Sequence, residues 1–293
     1  APRNVYQKKL KGEIRKSSIN NMFKGSGIYT DTAEGIVDTI LVDEAHRLNE
    51  KSGMFQNMGE NQIKEIIHAA RCSVFFIDES QRVTMNDIGS VAEIEKWANR
   101  AGAEITKMEL VSQFRCNGSD GYLAWLDNTL DIRETANWDM QDIDYDIQIM
   151  DSPHDVRNII LEKNVASNNK ARLLAGYCWD WPKAGRNKTT EPDIIIGDFK
   201  MSWNLENTST FAIDENSVNE IGCIHSSQGL EFDYVGVIIG EDLRYEDGKV
   251  VTDFTKRAKT DQSLKGIKKL HKENPEKAQK TADEIIKNTY RTL

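Results

Sequence analysis

Two adjacent carboxylates close an apolar run in Thr39-Ile40-Leu41-Val42-Asp43-Glu44-Ala45-His46. Magnesium takes hard oxygen ligands, usually one or two carboxylates completed by water and phosphate, which makes Asp43 a candidate metal ligand. A neighbouring Glu44 can orient or deprotonate an attacking water. An acidic pair after a strand can also do no more than cap the next helix. The apolar residues before this pair and the Ala-His after it favour the metal site.

Three more stretches carry chemistry. In Phe75-Phe76-Ile77-Asp78-Glu79-Ser80-Gln81, Gln81 follows a second apolar run, where an amide can contact a γ-phosphate or its water; a surface turn is the bland alternative. In Leu110-Val111-Ser112-Gln113-Phe114-Arg115, the planar, permanently charged fork of Arg115 suits phosphate oxygens and could stabilise charge on a γ-phosphate. An ordinary interdomain ion pair would use the same residue. The most specific stretch is His225-Ser226-Ser227-Gln228-Gly229-Leu230-Glu231-Phe232-Asp233. Gly229 permits close backbone approach to a ligand, and Glu231 can accept hydrogen bonds from ribose hydroxyls. His225, Ser226 and Ser227 can contact a nucleic-acid backbone. Against this stands a polar loop with a turn glycine.

These residues need elements to hold them. Ile36–Val42 and Ser73–Ile77 read as short buried strands, each ending in acids, with Gln62–Ala70 and Val91–Ala101 helical by spacing and Ile105–Leu110 strand-like. Residues 4–24 are basic and helix-compatible. The alternation implies a parallel sheet with helices on its faces, which binds ligands at the carboxyl ends of its strands. A second series follows: helices at Tyr122–Leu130 and Pro153–Asn168, and strands at Asp144–Met150, Ala171–Ala175, Asp193–Ile196, Ile221–Ile224 and Tyr234–Ile239. After Gly240 comes a polar, lysine-rich stretch, then a helix through Ala278–Tyr290. Two α/β lobes are expected, residues 1–111 and 112–293, the second carrying a basic insertion at about 244–280.

At 293 residues, 39% hydrophobic and 29% charged, the composition is that of a soluble globular protein. No apolar run reaches the roughly 18 residues of a membrane span. Four scattered cysteines without a CxxC pair suggest a reduced, cytoplasmic setting and argue against zinc. A net charge of −9 argues against indiscriminate coating of nucleic acid. Yet Lys256–Lys280 holds nine Lys/Arg against three Asp/Glu, a local +6 that leaves −15 for the rest. Such a strip is either a solvated face or a phosphate contact.

The ordered set DEAH, DESQ, QFR and HSSQGLEFD resembles motifs II to V of superfamily 1 helicases. Within that superfamily the chain is similar to bacterial helicase-like proteins related to the C-terminal half of Schlafens. Arg172–Trp181 and Asn288–Leu293 share in the likeness, which covers essentially the whole chain. The resemblance implies two RecA-like lobes with ATP between them and single-stranded DNA or RNA across them. It gives Asp43 the magnesium ion and Glu44 the water. Gln81 would couple nucleotide state to the strand, Arg115 would meet the γ-phosphate, and Gly229 with Glu231 would hold the sugar side. His46 and His225 become candidates for relaying between the two sites. The chain departs from the pattern in lacking any G-x-x-x-x-G-K-[ST], which in the family precedes the position of Ala1; only Arg291 matches the start of motif VI. Both ends are expected to be cuts through a longer protein, with the first lobe truncated, activity lost, and the exposed sheet edge open to self-association.

Overall fold

The computed structural model describes the chain except residues 1, 54–56, 111–118, 141, 142, 144, 181–191 and 204–209. It is mixed α/β, with parallel strands flanked by helices, and divides into two compact units: residues 10–109, and residues 1–9 with 110–293. Helix α1 (Pro2–Lys9) groups with the larger unit, and α2 (Lys16–Met22) opens the smaller one.

In the smaller unit, β1 (Val37–Val42) pairs in parallel with β2 (Ala70–Phe75), setting Val42 opposite Phe75. The connection runs through α3 (Gln62–Ala69), whose first turn is capped by the Asn61 side chain accepting from the Ile63 and Lys64 amides. Alternation along β1 turns Ile40 and Val42 inward, where they meet Ile63, Ile66 and Ala69 of α3. Ile94 and Trp97 of α4 (Val91–Arg100) pack on the same cluster. The residues between them face the other way: Leu41 is 67% exposed and Phe76, just past β2, 44%.

The segment from Ile105 to Leu110 is not the expected strand. It runs as an irregular, exposed stretch, with Met108 91% and Leu110 82% accessible. Alternation would place Met108 and Leu110 on one face of a strand here, yet both are exposed, so no apolar face is covered. Tyr145–Met150 likewise forms no strand; Tyr145 instead stacks on Tyr122 of α5 (Asp120–Thr129), ring centroids 3.9 Å apart.

The larger unit is built on a parallel sheet in the order β6-β3-β7, with β3 (Ala171–Ala175) central and buried throughout. β6 is only Ile221–Gly222 and β7 spans Tyr234–Ile238. Helix α6 (Pro153–Ala166) lies across β3 and β7; Gly236 has no side chain because a Cβ there would come within 2.6 Å of Val156 and 3.0 Å of Ile160. Two expectations need correcting. Ile194–Ile196 (β4) does not join this sheet; it pairs antiparallel with β5 (Phe199–Met201) across a Gly197-Asp198 turn. The polar stretch after Gly240 holds a second hairpin, β8 (Leu243–Glu246) with β9 (Lys249–Thr252). Its turn residues Asp247 and Gly248 both have positive φ (49° and 81°), as an Asp-Gly hairpin turn requires. Helix α7 (Ile224–Ser227) follows β6, and α8 (Ile267–Glu273) and α9 (Pro275–Thr292) end the chain.

Candidate functional site

The carboxylate pair stands at the carboxyl end of β1. Ladder hydrogen bonds carry the pairing one step past each strand: the Phe76 amide donates to the Val42 carbonyl (2.9 Å), and the Ala45 amide donates to the Phe76 carbonyl (2.9 Å). The Asp43-Glu44 turn is therefore stitched directly to the chain that leads into Asp78–Gln81. Glu44 adopts the left-handed conformation (φ 54°, ψ 45°), uncommon for a residue with a side chain. That reversal sends the chain into the short turn Ala45–Arg47. Strain of this kind persists only where surrounding contacts hold it.

Here the holding contacts are visible. His46 is buried (2% exposed) and places Nε2 3.0 Å from Glu44 Oε2. Behind it, Gly89 lies against the backbone itself: a Cβ there would be 2.5 Å from the His46 Cα and 2.7 Å from the Ala45 carbonyl carbon. Asp43 is exposed, and among the described residues no group hydrogen-bonds or ion-pairs its carboxylate. One open carboxylate is what magnesium needs from the protein when phosphate and water complete the shell.

Asp78 organises the neighbouring turn. Its carboxylate accepts from the Ser80 amide (3.0 Å) and hydroxyl and from Gln81 Nε2 (2.9 Å), which fixes the direction of the Gln81 amide. Glu79 Oε1 accepts the Val91 amide (3.2 Å) at the start of α4. Of the acids after β2, these two thus serve local turns. Arg115 and Gln113 lie outside the described residues.

The second group of site residues forms in the larger unit, at the carboxyl end of β6. Ser226 and Ser227 are buried, and both hydroxyls donate back to the Cys223 carbonyl (2.8 and 3.1 Å); Ser226 Oγ also accepts from the Cys223 amide (2.9 Å). Their side chains close the turn of α7 in this conformation, so of the three residues assigned to a nucleic-acid backbone His225 is the exposed one. Gly229 has φ 76°, so its glycine answers a backbone need, and Glu231 is exposed beyond it.

Sequence reasoning missed what backs this loop. The Tyr177 ring packs against His225 (centroids 5.9 Å apart) and Trp203 (5.4 Å), and the Arg257 guanidinium sits 5.4 Å over it. Arg257, counted by sequence in the basic strip, is buried: its Nε meets Asp242 Oδ2 at 2.7 Å, as an ion pair rather than an aligned hydrogen bond, and Asp261 lies 3.3 Å from Nη1. Tyr290 donates to Asp242 Oδ1 and accepts from the Gly240 amide (3.0 Å), and Cys178 Sγ donates to the same Asp242 oxygen at 3.0 Å. Burial pushes the Tyr177 and Tyr290 hydroxyls well above their ordinary range; burial, then Asp242, takes the Cys178 thiol to about 12. The available signal was Gly176-Tyr177-Cys178 directly after an apolar strand. Arg291 pairs with Asp127 of α5, which Arg133 also holds at 2.9 Å.

An Asp-Glu pair at the end of a parallel strand, a polar turn beside it and a His-Ser-Ser-Gln-Gly loop after another parallel strand are the parts of a helicase-like α/β protein. The chain belongs to the family described as Schlafen group 3, DNA/RNA helicase domain, whose model matches residues 1–293. It is 25% identical over 264 residues to the uncharacterized protein YPL245W of Saccharomyces cerevisiae, covering 82% of this chain and 55% of the yeast protein. The chain thus spans about half the length of that curated relative. No solved structure matches it. Among the described residues no helix is long and apolar enough to cross a membrane.

Proposed function

We propose that this chain belongs to an ATP-dependent motor, a helicase or translocase that couples ATP hydrolysis to movement on single-stranded DNA or RNA. The observation that carries the reading is the stitched turn at the end of β1: an open Asp43, a Glu44 held in a left-handed conformation by His46, and Gln81 fixed beside them by Asp78. Family membership supports a nucleic-acid-related role.

In this reading residues 1–111 and 112–293 form two RecA-like lobes. Asp43 would hold a magnesium ion, which when bound with ATP would supply charge neutralisation at the phosphates. Glu44 accepts a proton from the attacking water, and its fixed backbone and contact with His46 spare the cost of ordering it on each turnover. Gln81 reads the nucleotide's state, Arg115 meets the γ-phosphate, and Gly229 and Glu231 take the sugar side. His225, with the Ser226-Ser227 turn, faces the strand. The sequence contains no G-x-x-x-x-G-K-[ST], so this reading requires the phosphate loop of such a motor to be supplied by other sequence. The working compartment is the cytoplasm, and the open edges of the β1–β2 pair allow self-association.

The test compares residues 1–293 with a longer protein that includes a phosphate loop, measuring ATP turnover with and without single strands. The longer protein is expected to be stimulated by strands and to lose at least about a hundredfold in kcat on Glu44→Gln. Residues 1–293 alone should turn over negligibly. Turnover by residues 1–293 that Glu44→Gln abolishes would overturn the inactivity, and indifference of the longer protein to strands would overturn the motor. A second reading, a nucleic-acid-binding or regulatory module that keeps the ATPase fold without unwinding, is favoured by the net charge of −9. It is supported instead if strands bind with steep salt dependence but duplexes are never separated.

A further inference from the structure

The lysine-rich stretch after the β8–β9 hairpin divides into two parts with different fates. Its one arginine goes inward: Arg257 is 8% exposed and ties Asp242, Asp261, Ser263 and Thr289 together. Leu264 and Ile267 are also buried, at 6% and 5%, and seat α8 against α9, whose Ala278 and Ala282 are fully covered. The Asn274 amide donates to the Leu270 carbonyl (2.7 Å), and the Asn274 side chain then caps α9. The lysines go outward. At 100° per residue, Lys268, Lys272 and Lys269 share the face of α8 opposite Ile267, with Lys265 just ahead of them, and all four are exposed. Among the described residues Lys265, Lys268 and Lys272 have no acidic partner, and Lys269 meets only Glu273, at 3.8 Å.

This arrangement works against the helix that carries it. Lys268 and Lys269 stand in the first turn, where the helix dipole disfavours positive charge. Lys268–Lys272 and Lys269–Lys272 are like-charge pairs at i,i+4 and i,i+3 spacing. Glu273 is the one acid on this face against three lysines, although the chain has acids to spare, 47 against 38 Lys and Arg. Beside the lysines, the exposed His271 ring rests against Phe254 at 5.5 Å, an aromatic pair next to the cationic stripe.

We propose that the Lys268–Lys269–Lys272 face of α8, flanked by Lys265, is a docking surface for the sugar–phosphate backbone of a nucleic-acid strand. The proposal rests on the reading that this chain acts on nucleic acid, and adds a contact surface outside the motifs. Lysine ammonium groups on a helix anchored by buried Arg257 and Ile267 meet phosphates at little ordering cost, and the bound counterions are released. His271 offers a ring on which a base can stack.

The test is binding of a fluorescein-labelled twenty-nucleotide single strand to residues 1–293, followed by anisotropy from 50 to 200 mM salt. Counterion release assigns a slope of about 0.7 per phosphate contact on single strands, so Lys268→Gln/Lys269→Gln/Lys272→Gln should reduce the salt slope by about 2. Wild-type affinity should then fall roughly 20-fold more than the variant's over that fourfold range of salt. The corresponding triple Arg variant should bind like the wild type, and circular dichroism of both should be unchanged. If the wild type binds and the Gln variant keeps the same slope, the surface assignment fails while the nucleic-acid reading stands. If the wild type binds no strand, the surface assignment fails, and the motor reading is then decided by strand-stimulated turnover of the longer protein. An Arg variant as weak as the Gln variant would also overturn a charge-based contact.

Discussion

Gly89 tests whether the Asp43-Glu44 turn is held from behind. Replacing it with Ala adds one methyl group, which would sit 2.5 Å from the His46 Cα and 2.7 Å from the Ala45 carbonyl carbon. These neighbours, and the Ala45 carbonyl oxygen, which lies nearer still, are main chain, so no side-chain rotation relieves the overlap; about 1.5 Å of backbone movement is needed to restore ordinary contact near 3.4 Å. That backbone is pinned by the Ala45 amide on the Phe76 carbonyl (2.9 Å), the Arg47 amide on the Glu44 carbonyl (2.9 Å) and the Ile88 amide on the Leu48 carbonyl (2.8 Å). Overpacking alone costs about 1–3 kcal/mol, and losing one of these buried hydrogen bonds adds about 1–3 kcal/mol. The expected destabilisation of the smaller unit is therefore about 3 kcal/mol. Gly102→Ala is the control: it has φ 68° with nothing within 4 Å of the added methyl group, so it carries only left-handed strain, about 1–2 kcal/mol. Urea unfolding of each variant gives the stabilities, and hydrogen exchange of peptides covering residues 40–50 and 74–82 locates the change. Gly89→Ala should exceed Gly102→Ala and accelerate exchange at Ala45 and Phe76. Equal stabilities, or unchanged exchange there, would refute a turn supported by Gly89.

Thiol labelling at pH 8 in the native protein should modify exposed Cys72 quickly and leave Cys178 and buried Cys223 behind. With its thiol pushed up to about 12, Cys178 is thiolate in roughly one molecule in ten thousand at that pH; labelling at the rate of Cys72 would contradict its burial beside Asp242. Tyr177, Cys178 and Tyr290 all hold their protons more tightly when folded. Their stabilisation is complete below the ordinary values of 9 to 10 and is lost as pH rises through the raised ones. The urea midpoint of the larger unit should therefore fall from pH 8 to pH 10.5 and beyond; a flat profile would count against this. Arg257→Met leaves Asp242, 0% exposed, without its cation, at a cost of about 3–5 kcal/mol. Adding Asp242→Asn should recover part of that loss in urea unfolding, whereas simple additivity would show the two residues are not coupled.

Much of the fold could be read directly. Ile40 and Val42 alternate with Leu41, Ile63 and Ile66 recur at helical spacing, and the unbroken apolar run Leu173-Leu174-Ala175 marks a fully buried central strand. Periodicity failed where no strand among the described residues pairs with the segment, as at Ile105–Leu110, and where a turn signal lay inside a charged stretch, as at Asp247-Gly248. Burial of charge was equally illegible. Arg257 and Lys268 look alike in a basic run, yet one is locked between Asp242 and Asp261, far away in sequence or on another turn, while the other faces water.

By itself, the sequence determined the chemistry on offer: an Asp-Glu pair after an apolar run, a Gln after the next, and a His-Ser-Ser-Gln-Gly loop, in an order local spacing can carry. Only the tertiary structure decided how each residue is held. It put Glu44 in a left-handed turn against His46 and Gly89, used the Ser226 and Ser227 hydroxyls to close α7, and laid Tyr177 between His225 and Arg257. The physical reason is range. Strand and helix periodicity is written in neighbouring residues, whereas the packing that orients a side chain comes from segments that only the folded chain brings together.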